Sequence, residues 1–271
     1  MNLKDKIVII TGASSGIGKS LAIEFAKRGA NLILAARQFV TLCELAQSIE
    51  QQYGIKSVAV QCDVTHQEDC DLLIKQTLTT FGRIDVLINN AGISMRALFN
   101  DADIGVLKKV MDVNFWGTVY CTKYALPEIL KTKGTIVGVS SIAGYKGLPG
   151  RTGYSASKFA MNGFLDTLRV ENLKNGIHVL TACPGFTTSN IRSKSLDKNG
   201  NQQGESTLNE EKMMSSDEVA IIIANGVENN SRTLVMTGQG KLMVLLNKIF
   251  PGLVDKMVYN TIKKEKNSLL K

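Results

Sequence analysis

The residues best equipped for chemistry in this chain are Tyr154 and Lys158, four positions apart in GYSASK (153–158). On a helix, positions i and i+4 share a face, so a phenol and an ammonium would enter one pocket together. A phenol titrates near ~10 in water and a neighbouring cation favours its phenolate, so Lys158 is expected to draw Tyr154 toward working pH. A shift of about three units requires roughly 4 kcal/mol of differential interaction. An isolated YxxxK is more often a solvated surface pair, so the rest of the chain has to decide.

The elements that would hold such a pair are legible as short apolar or β-branched runs: IVIIT (7–11), NLILAA (31–36), SVAVQC (57–62), DVLINN (85–90), TIVGVS (135–140), HVLTAC (178–183) and TLVMT (233–237). Amphipathic stretches of helical length, such as 18–29 and 67–82, separate most of them. This alternation predicts an α/β fold, a Rossmann-type doubly wound, seven-stranded parallel sheet in a single domain over 1–240. Directly after the first run comes TGASSGIG (11–18), in which Gly12, Gly16 and Gly18 would let the backbone turn tightly and approach a pyrophosphate at the start of the next helix. Its place between a strand and a helix makes the glycine pattern specific.

The irregular segment 186–215 is predicted to be a lid loop, too polar to join the core. Its DKNGN opens like a calcium loop, but Gln202 stands where the turn needs glycine, so calcium is rejected. Ser215 and Glu218 have capping-box spacing and should start a helix.

Composition narrows the function further. With 44% hydrophobic and 21% charged residues the chain reads as a globular protein. Five cysteines without a CxxC pair argue against a disulfide framework or zinc site. Only His66 and His178 could act as imidazoles, far apart in sequence, so neither a Ser-His-Asp triad nor a histidine metal cluster is expected. No apolar leader precedes the first run, and the cytoplasm is the expected compartment. Of the net charge of +8, five units belong to residues 241–271, where seven lysines meet Asp255 and Glu265. The charge therefore marks an amphipathic, basic extension and not a nucleic-acid face.

Taken in order, TGASSGIG, NNAG (89–92), Asn114 in DVNFWG, Ser141 in VSSIAG, YSASK and Pro184-Gly185 resemble the short-chain dehydrogenase/reductase superfamily across residues 5–240. SASKFAMNGFLDTLRVE and the C-terminal extension are most similar to its hydroxysteroid dehydrogenase and ketosphinganine reductase side. The resemblance implies that Tyr154 is the general acid in reduction and the base in the reverse direction, tuned by Lys158, which also binds the nicotinamide ribose. It makes Ser141 the group that orients the substrate carbonyl, with Ser140 as an inward-facing neighbour, and Asn114 the holder of a relay water. Asn90, Ala91 and Gly92 form the turn beside the cofactor, and Ser15 and Ile17 belong to the glycine loop. After Pro184 and Gly185, Thr187 is the first candidate to bind the carboxamide, with Thr188 and Ser189 competing. No metal is required.

The end of the second apolar run decides between cofactors, because an acidic residue there suits NAD. This chain has Ala36 and Arg37, a guanidinium fork suited to phosphate, so NADP is expected, with Ser14 as a second phosphate ligand. Lys19 is a weaker candidate. Asp63, followed by Val64, resembles the family position that reads the adenine.

The expected activity is interconversion of a ketone and a secondary alcohol on a lipophilic substrate. Alternatives are reduction of a 3-oxoacyl carrier protein, or a nucleotide-binding regulator without turnover. Phe115, Trp116, Phe159 and Phe164 lie on two apolar stretches through which family members commonly pair, so at least a dimer, or a tetramer, is expected. In the tail, Leu242, Leu245, Leu246, Ile249 and Phe250 recur at helical spacing, Pro251-Gly252 interrupts them, and Leu253, Val254, Met257, Val258 and Ile262 resume. Each run is too short to span a bilayer. Such a broken amphipathic helix either packs as a lid or dimer contact, or lies on an anionic membrane surface.

Overall fold

The computed structural model describes residues 1–188, 191–204, 213–264 and 267–270. Seven strands form one parallel sheet: β1 (Ile7–Thr11), β2 (Asn31–Ala36), β3 (Ser57–Gln61), β4 (Val86–Asn89), β5 (Thr135–Val139), β6 (His178–Cys183) and, after a short separate pair β7 (Thr187–Thr188) and β8 (Met214–Ser215), β9 (Thr233–Val235). Their order is β3-β2-β1-β4-β5-β6-β9. Every apolar run predicted to be a strand is one. The runs are continuous because both faces are covered, as parallel sheets require. Val8, Ile10, Leu32 and Leu34 pack on one face. Ile9, Ile33, Leu87 and Ile136 pack on the other.

The first face carries α1 (Gly16–Lys27), α2 (Phe39–Tyr53) and α7 (Ser216–Glu228). The second carries α3 (Gln67–Phe81), α5 (Gly117–Thr132) and α6 (Thr152–Glu171). Gly54 and Gly82 end α2 and α3 in the left-handed conformation that glycine adopts without steric cost. The capping box predicted at Ser215 and Glu218 is present, each residue's side chain accepting from the other's backbone N–H.

Chain order reverses between β1 and β4, whose neighbours lead outward in opposite directions. A crevice at the carboxyl ends of the strands there is where an open α/β sheet binds ligands. Around it lie α4 (Ile104–Met111), a single π-helical turn (Asp112–Trp116) and the C-terminal helices α8 (Gly238–Ile249) and α9 (Pro251–Lys263). Pro251 breaks the tail into these two helices by starting the second, a position where its missing N–H costs nothing. Among the described residues, no helix is long and apolar enough to cross a membrane.

Segment 191–204 is better packed than its polarity predicts. Its backbone bonds to residues 94–96, with Leu196 N donating to Ser94 O and Arg96 N to Leu196 O. Leu196 then joins Met95, Val106, Val110, Ala143 and Tyr154 in a third apolar cluster beside the crevice. One leucine anchors a segment whose average composition is that of a surface loop. Residues 189–190 and 205–212 of the same stretch, with candidate Ser189, lie outside the described residues.

Candidate active site

The end of the crevice that holds the glycine loop is built on Thr11, the last residue of β1. Its Oγ1 accepts from the backbone N–H of Asn90 (3.0 Å) and of Ala91 (3.1 Å), and Asn90 Nδ2 donates back to Thr11 O (2.9 Å). These bonds lock the NNAG turn against the glycine loop. Gly12 has φ 66°, and a Cβ there would sit 2.8 Å from Ala91 Cα. A Cβ on Gly18 would sit 2.2 Å from Gly12 O, so both positions exclude any side chain. Ser15 caps α1 without a side-chain hydrogen bond, and the first turn carries no acidic residue. The first-turn amides of α1, at the positive end of its dipole, thus meet no capping group of their own and fit a pyrophosphate.

On the rim beyond the loop stand Ser14, Arg37, Asp63 and Val64. Ser14 Oγ reaches Gln38 Oε1 at 3.5 Å. Arg37 Nη1 lies 3.8 Å from Asp63 Oδ2. Partial burial works to raise the Asp63 carboxyl, but hydrogen bonds from Thr65 N and Oγ1, with the Arg37 charge, hold it below the usual carboxylate range. Val64 packs against the first residue of α5, where a Cβ on Gly117 would fall 2.6 Å from Val64 Cγ2.

The residues expected to do chemistry come together where β5 and α6 converge. Ser141 follows β5, and its Oγ accepts from Ala143 N at 3.1 Å, which fixes its direction. It also stands near enough to the Tyr154 phenol to favour the ionised form. Lys158, almost wholly buried, donates to Val139 O at 2.9 Å and lies 5.8 Å from the centroid of the Tyr154 ring. Ser140 points inward, its Oγ toward Lys158 O at 3.5 Å, and is buried. Below them lies Cys183, at the end of β6, and burial pushes its thiol up to about 12. In the sequence that cysteine bears only on disulfides and zinc, and Thr11 has no assigned role; a threonine between strand and glycine loop is the signal for it.

Two expectations differ in the structure. Burial pushes the Tyr154 phenol up, only partly opposed by the nearby Ser141 hydroxyl and the Arg151 charge, so the tyrosine is not drawn down as expected. Burial likewise lowers Lys158, to about 8, which weakens the charge meant to do the drawing. Desolvation disfavours both ions at once. Asn114 is wholly buried in the π turn, and its carboxamide bonds to Ile93 N (2.8 Å), Ile93 O (3.0 Å) and Ser157 Oγ (2.9 Å). It clamps the loop after β4 to α6, and its backbone carbonyl accepts from Thr118 Oγ1 at 3.0 Å.

The outer half of the cavity is apolar. Pro184 and Gly185 border it after β6, and Thr187 is buried on its wall while Thr188 is exposed. Met243, Leu246 and Val258 face it from the tail helices. Gly240 of α8 sits so close to Ile142 that a Cβ would fall 2.4 Å from Ile142 Cδ1. Asn247 Nδ2 donates to Tyr145 O (3.1 Å), and Lys146 pairs with Asp255 of α9. The tail is thereby fastened to the stretch that begins at Ser141.

Comparison with known proteins accords with this arrangement. Residues 6–200 match the family model described as short chain dehydrogenase. The chain is 37% identical over 264 residues to 11-beta-hydroxysteroid dehydrogenase 1A of Arabidopsis thaliana, covering 94% of this chain and 74% of that protein. The fold is similar to that of a short chain dehydrogenase/reductase from Burkholderia phymatum in complex with NAD, with TM-score 0.82, 21% identity, and 93% and 96% of the two chains covered. It is also similar to an alcohol dehydrogenase from Thermococcus sibiricus complexed with 5-hydroxy-NADP, with TM-score 0.77, 23% identity, and 85% and 95% covered. At those identities the two structures speak for the fold, whereas the family model spans the glycine loop, Asn114, Ser141 and the Tyr154/Lys158 pair. This chain belongs to the short chain dehydrogenase family of oxidoreductases.

Proposed function

We propose that the protein is an NADP(H)-dependent oxidoreductase that interconverts a ketone and a secondary alcohol on a lipophilic substrate. The observation that carries this reading is a single cavity of about 1430 Å³ reaching from Ser14 and Arg37, past Ser141 and Tyr154, to Leu246 and Met257. Such a volume exceeds an ordinary ligand pocket of ~300–1,000 Å³ and suits a dinucleotide with a second molecule beside it.

The glycine loop and α1 amides hold the pyrophosphate, while Arg37 and Ser14 hold a 2′-phosphate. Asp63 and Val64 flank the adenine. Thr187, buried on the wall, is favoured over exposed Thr188 to hold the carboxamide. The bound nicotinamide supplies or accepts the hydride. Ser141 orients the substrate oxygen through its hydroxyl. Tyr154 gives that oxygen its proton in reduction; burial keeps the phenol protonated and ready to donate. Lys158 at about 8 is charged over much of the physiological range and can hydrogen-bond the ribose. Asn114 holds the loop after β4 against α6, and in this reading also supports the relay that resupplies the proton.

Apolar surface supports two further parts of the proposal. Trp116 stacks on Tyr120 (5.8 Å between centroids) and Phe115 meets Phe164 edge-on (6.3 Å), with Trp116 and Phe159 exposed, a patch suited to a two-fold dimer. In the tail, Leu245, Ile249, Phe250 and Leu253 are exposed while neighbouring side chains line the cavity. With the adjacent lysines, this rim suits an anionic lipid surface from which a lipid-soluble substrate would enter.

The test is turnover with NADPH and NADH against ketosteroids, 3-ketosphinganine and acetoacetyl thioesters. NADPH-dependent reduction of an apolar ketone is expected. Exclusive use of acetoacetyl thioesters would replace the substrate assignment, and binding of nucleotide without turnover of any ketone would replace the enzyme by a regulator.

A further inference from the structure

We propose that Ser157 is a positioning residue for the reaction, acting through Asn114 to set the catalytic turn of α6 against the cofactor loop. The proposal rests on the oxidoreductase reading above. Serine is not a favoured helix-interior residue, because its hydroxyl competes for backbone groups. Here the hydroxyl is fully buried and completely employed: Ser157 Oγ donates to Tyr154 O at 2.7 Å and accepts from Asn114 Nδ2 at 2.9 Å.

The back-bond to Tyr154 O fixes the rotamer, so the remaining lone pair is aimed at Asn114. The second hydrogen of Asn114 Nδ2 goes to Ile93 O (3.0 Å), and Oδ1 accepts from Ile93 N (2.8 Å). Ile93 adjoins Gly92, where a Cβ would lie 3.3 Å from Asn114 Oδ1 and 3.7 Å from Lys158 Nζ. A continuous path thus runs from the NNAG loop, through one carboxamide and one hydroxyl, to the helical turn between Tyr154 and Lys158. Without the hydroxyl, one buried N–H of Asn114 loses its acceptor, and the carboxamide must tilt to recover one. The distance between the cofactor loop and the Tyr154/Lys158 pair is then no longer fixed, and misplacement by a fraction of an ångström lowers the rate of a positioned reaction.

The experiment compares wild type, Ser157→Ala, Ser157→Thr, Asn114→Ala, the Ser157→Ala/Asn114→Ala double variant and Tyr154→Phe in one ketone-reduction assay. Thermal unfolding and NADPH titration accompany each. Ser157→Ala is expected to fold, to bind NADPH within about twofold of wild type, and to lose about tenfold in kcat with little change in KM. Its kcat–pH profile should shift on the basic side, because the groups that titrate there have moved apart. Adding Ser157→Ala to Asn114→Ala should cost little more, since the two act as one unit.

Ser157→Thr is the sharpest comparison. It retains the hydroxyl but adds a methyl group in a closed space, so packing alone ranks alanine above threonine, whereas the hydrogen-bond path ranks threonine above alanine in kcat. A Ser157→Ala enzyme equal to wild type, one that fails to fold, threonine slower than alanine, or fully additive losses with Asn114→Ala would each overturn the proposal. If Tyr154→Phe retains full turnover, the underlying reading fails instead; if it is inactive while Ser157→Ala is normal, only the role of Ser157 fails.

Discussion

Arg37 and Asp63 face each other across the rim of the cavity, with Nη1 3.8 Å from Oδ2. The Arg37 side chain is 63% exposed, so this loose pair neutralises little of the guanidinium charge. That charge is available to a phosphate arriving at the same rim. Arg37→Asp should weaken NADPH binding tenfold or more, as expected for a contact of about 1.5–3 kcal/mol, and relieve discrimination against NADH. Fluorescence titration of both nucleotides measures it; a wild-type enzyme that already prefers NADH would discard the assignment.

Tyr154→Phe deletes the phenolic oxygen and keeps the ring in its apolar cluster. Nucleotide affinity and thermal midpoint should stay close to wild type, while kcat drops by about 10²–10⁴ for lack of a proton donor. Residual turnover within a few fold of wild type would remove Tyr154 from the chemistry.

Lys158 links the site to stability. Its folded-state pKa, about 8, lies below the unfolded 10.5, so between those values the unfolded chain binds more protons. The cost of burying the ammonium is full below pH 8 and is relieved as pH climbs toward 10.5. Lys158→Met, which carries no such cost, should therefore gain most over wild type at pH 7 in the absence of nucleotide, and the advantage should shrink by pH 10. Calorimetric midpoints across that range give the sign directly; an advantage that grows with pH would contradict it.

Gly240→Ala sets two effects against each other. Alanine favours the helix by about 1 kcal/mol over glycine, but its Cβ would press on Ile142 Cδ1 from 2.4 Å and on the capping hydroxyl of Thr237 from 2.8 Å. The tip of Ile142 can swing aside, and it adjoins Ser141. Stability should hardly change, whereas KM for a bulky ketone should rise several-fold with NADPH affinity intact. Equal KM values for small and bulky ketones in the two enzymes would dissociate the tail from the pocket.

Exposed apolar side chains of the tail allow a test that spares the cavity. Leu245→Ser with Ile249→Ser should abolish co-sedimentation with anionic liposomes and leave turnover of a soluble ketone unchanged. Full-length wild type that never sediments would leave the tail as pocket wall alone.

What could be read from the sequence followed from how local each signal is. Strands such as Ile7–Thr11 are buried throughout because both faces are covered, and glycines with positive φ mark the loop between strand and helix. The Tyr154/Lys158 pair needed only helical spacing. By contrast, the direction of the Tyr154 shift depends on desolvation, which is a property of the assembled core. The clamp made by Asn114 depends on a π turn that a 3.6-residue period does not reveal. Leu196 was hidden by its polar neighbours, and the stripes on α8 and α9 gave their spacing but not which side would face the cavity.

The fastening of the tail has a consequence for the order in which the protein assembles. Asn247 and Asp255 meet Tyr145 and Lys146 across 102 and 109 residues of chain, and each such closure costs entropy before it returns any contact. The glycine loop and the NNAG turn close across a comparable 79 residues, but there the ladder between adjacent parallel strands β1 and β4 returns many contacts at once. The tail helices bury only Gly240, Val254 and Ile262, so they are expected to dock last. In native-state hydrogen exchange the amides of α8 and α9 should open at lower free energy than those of β1 and β4, and a ketone bound as proposed should slow the tail's exchange more than nucleotide alone.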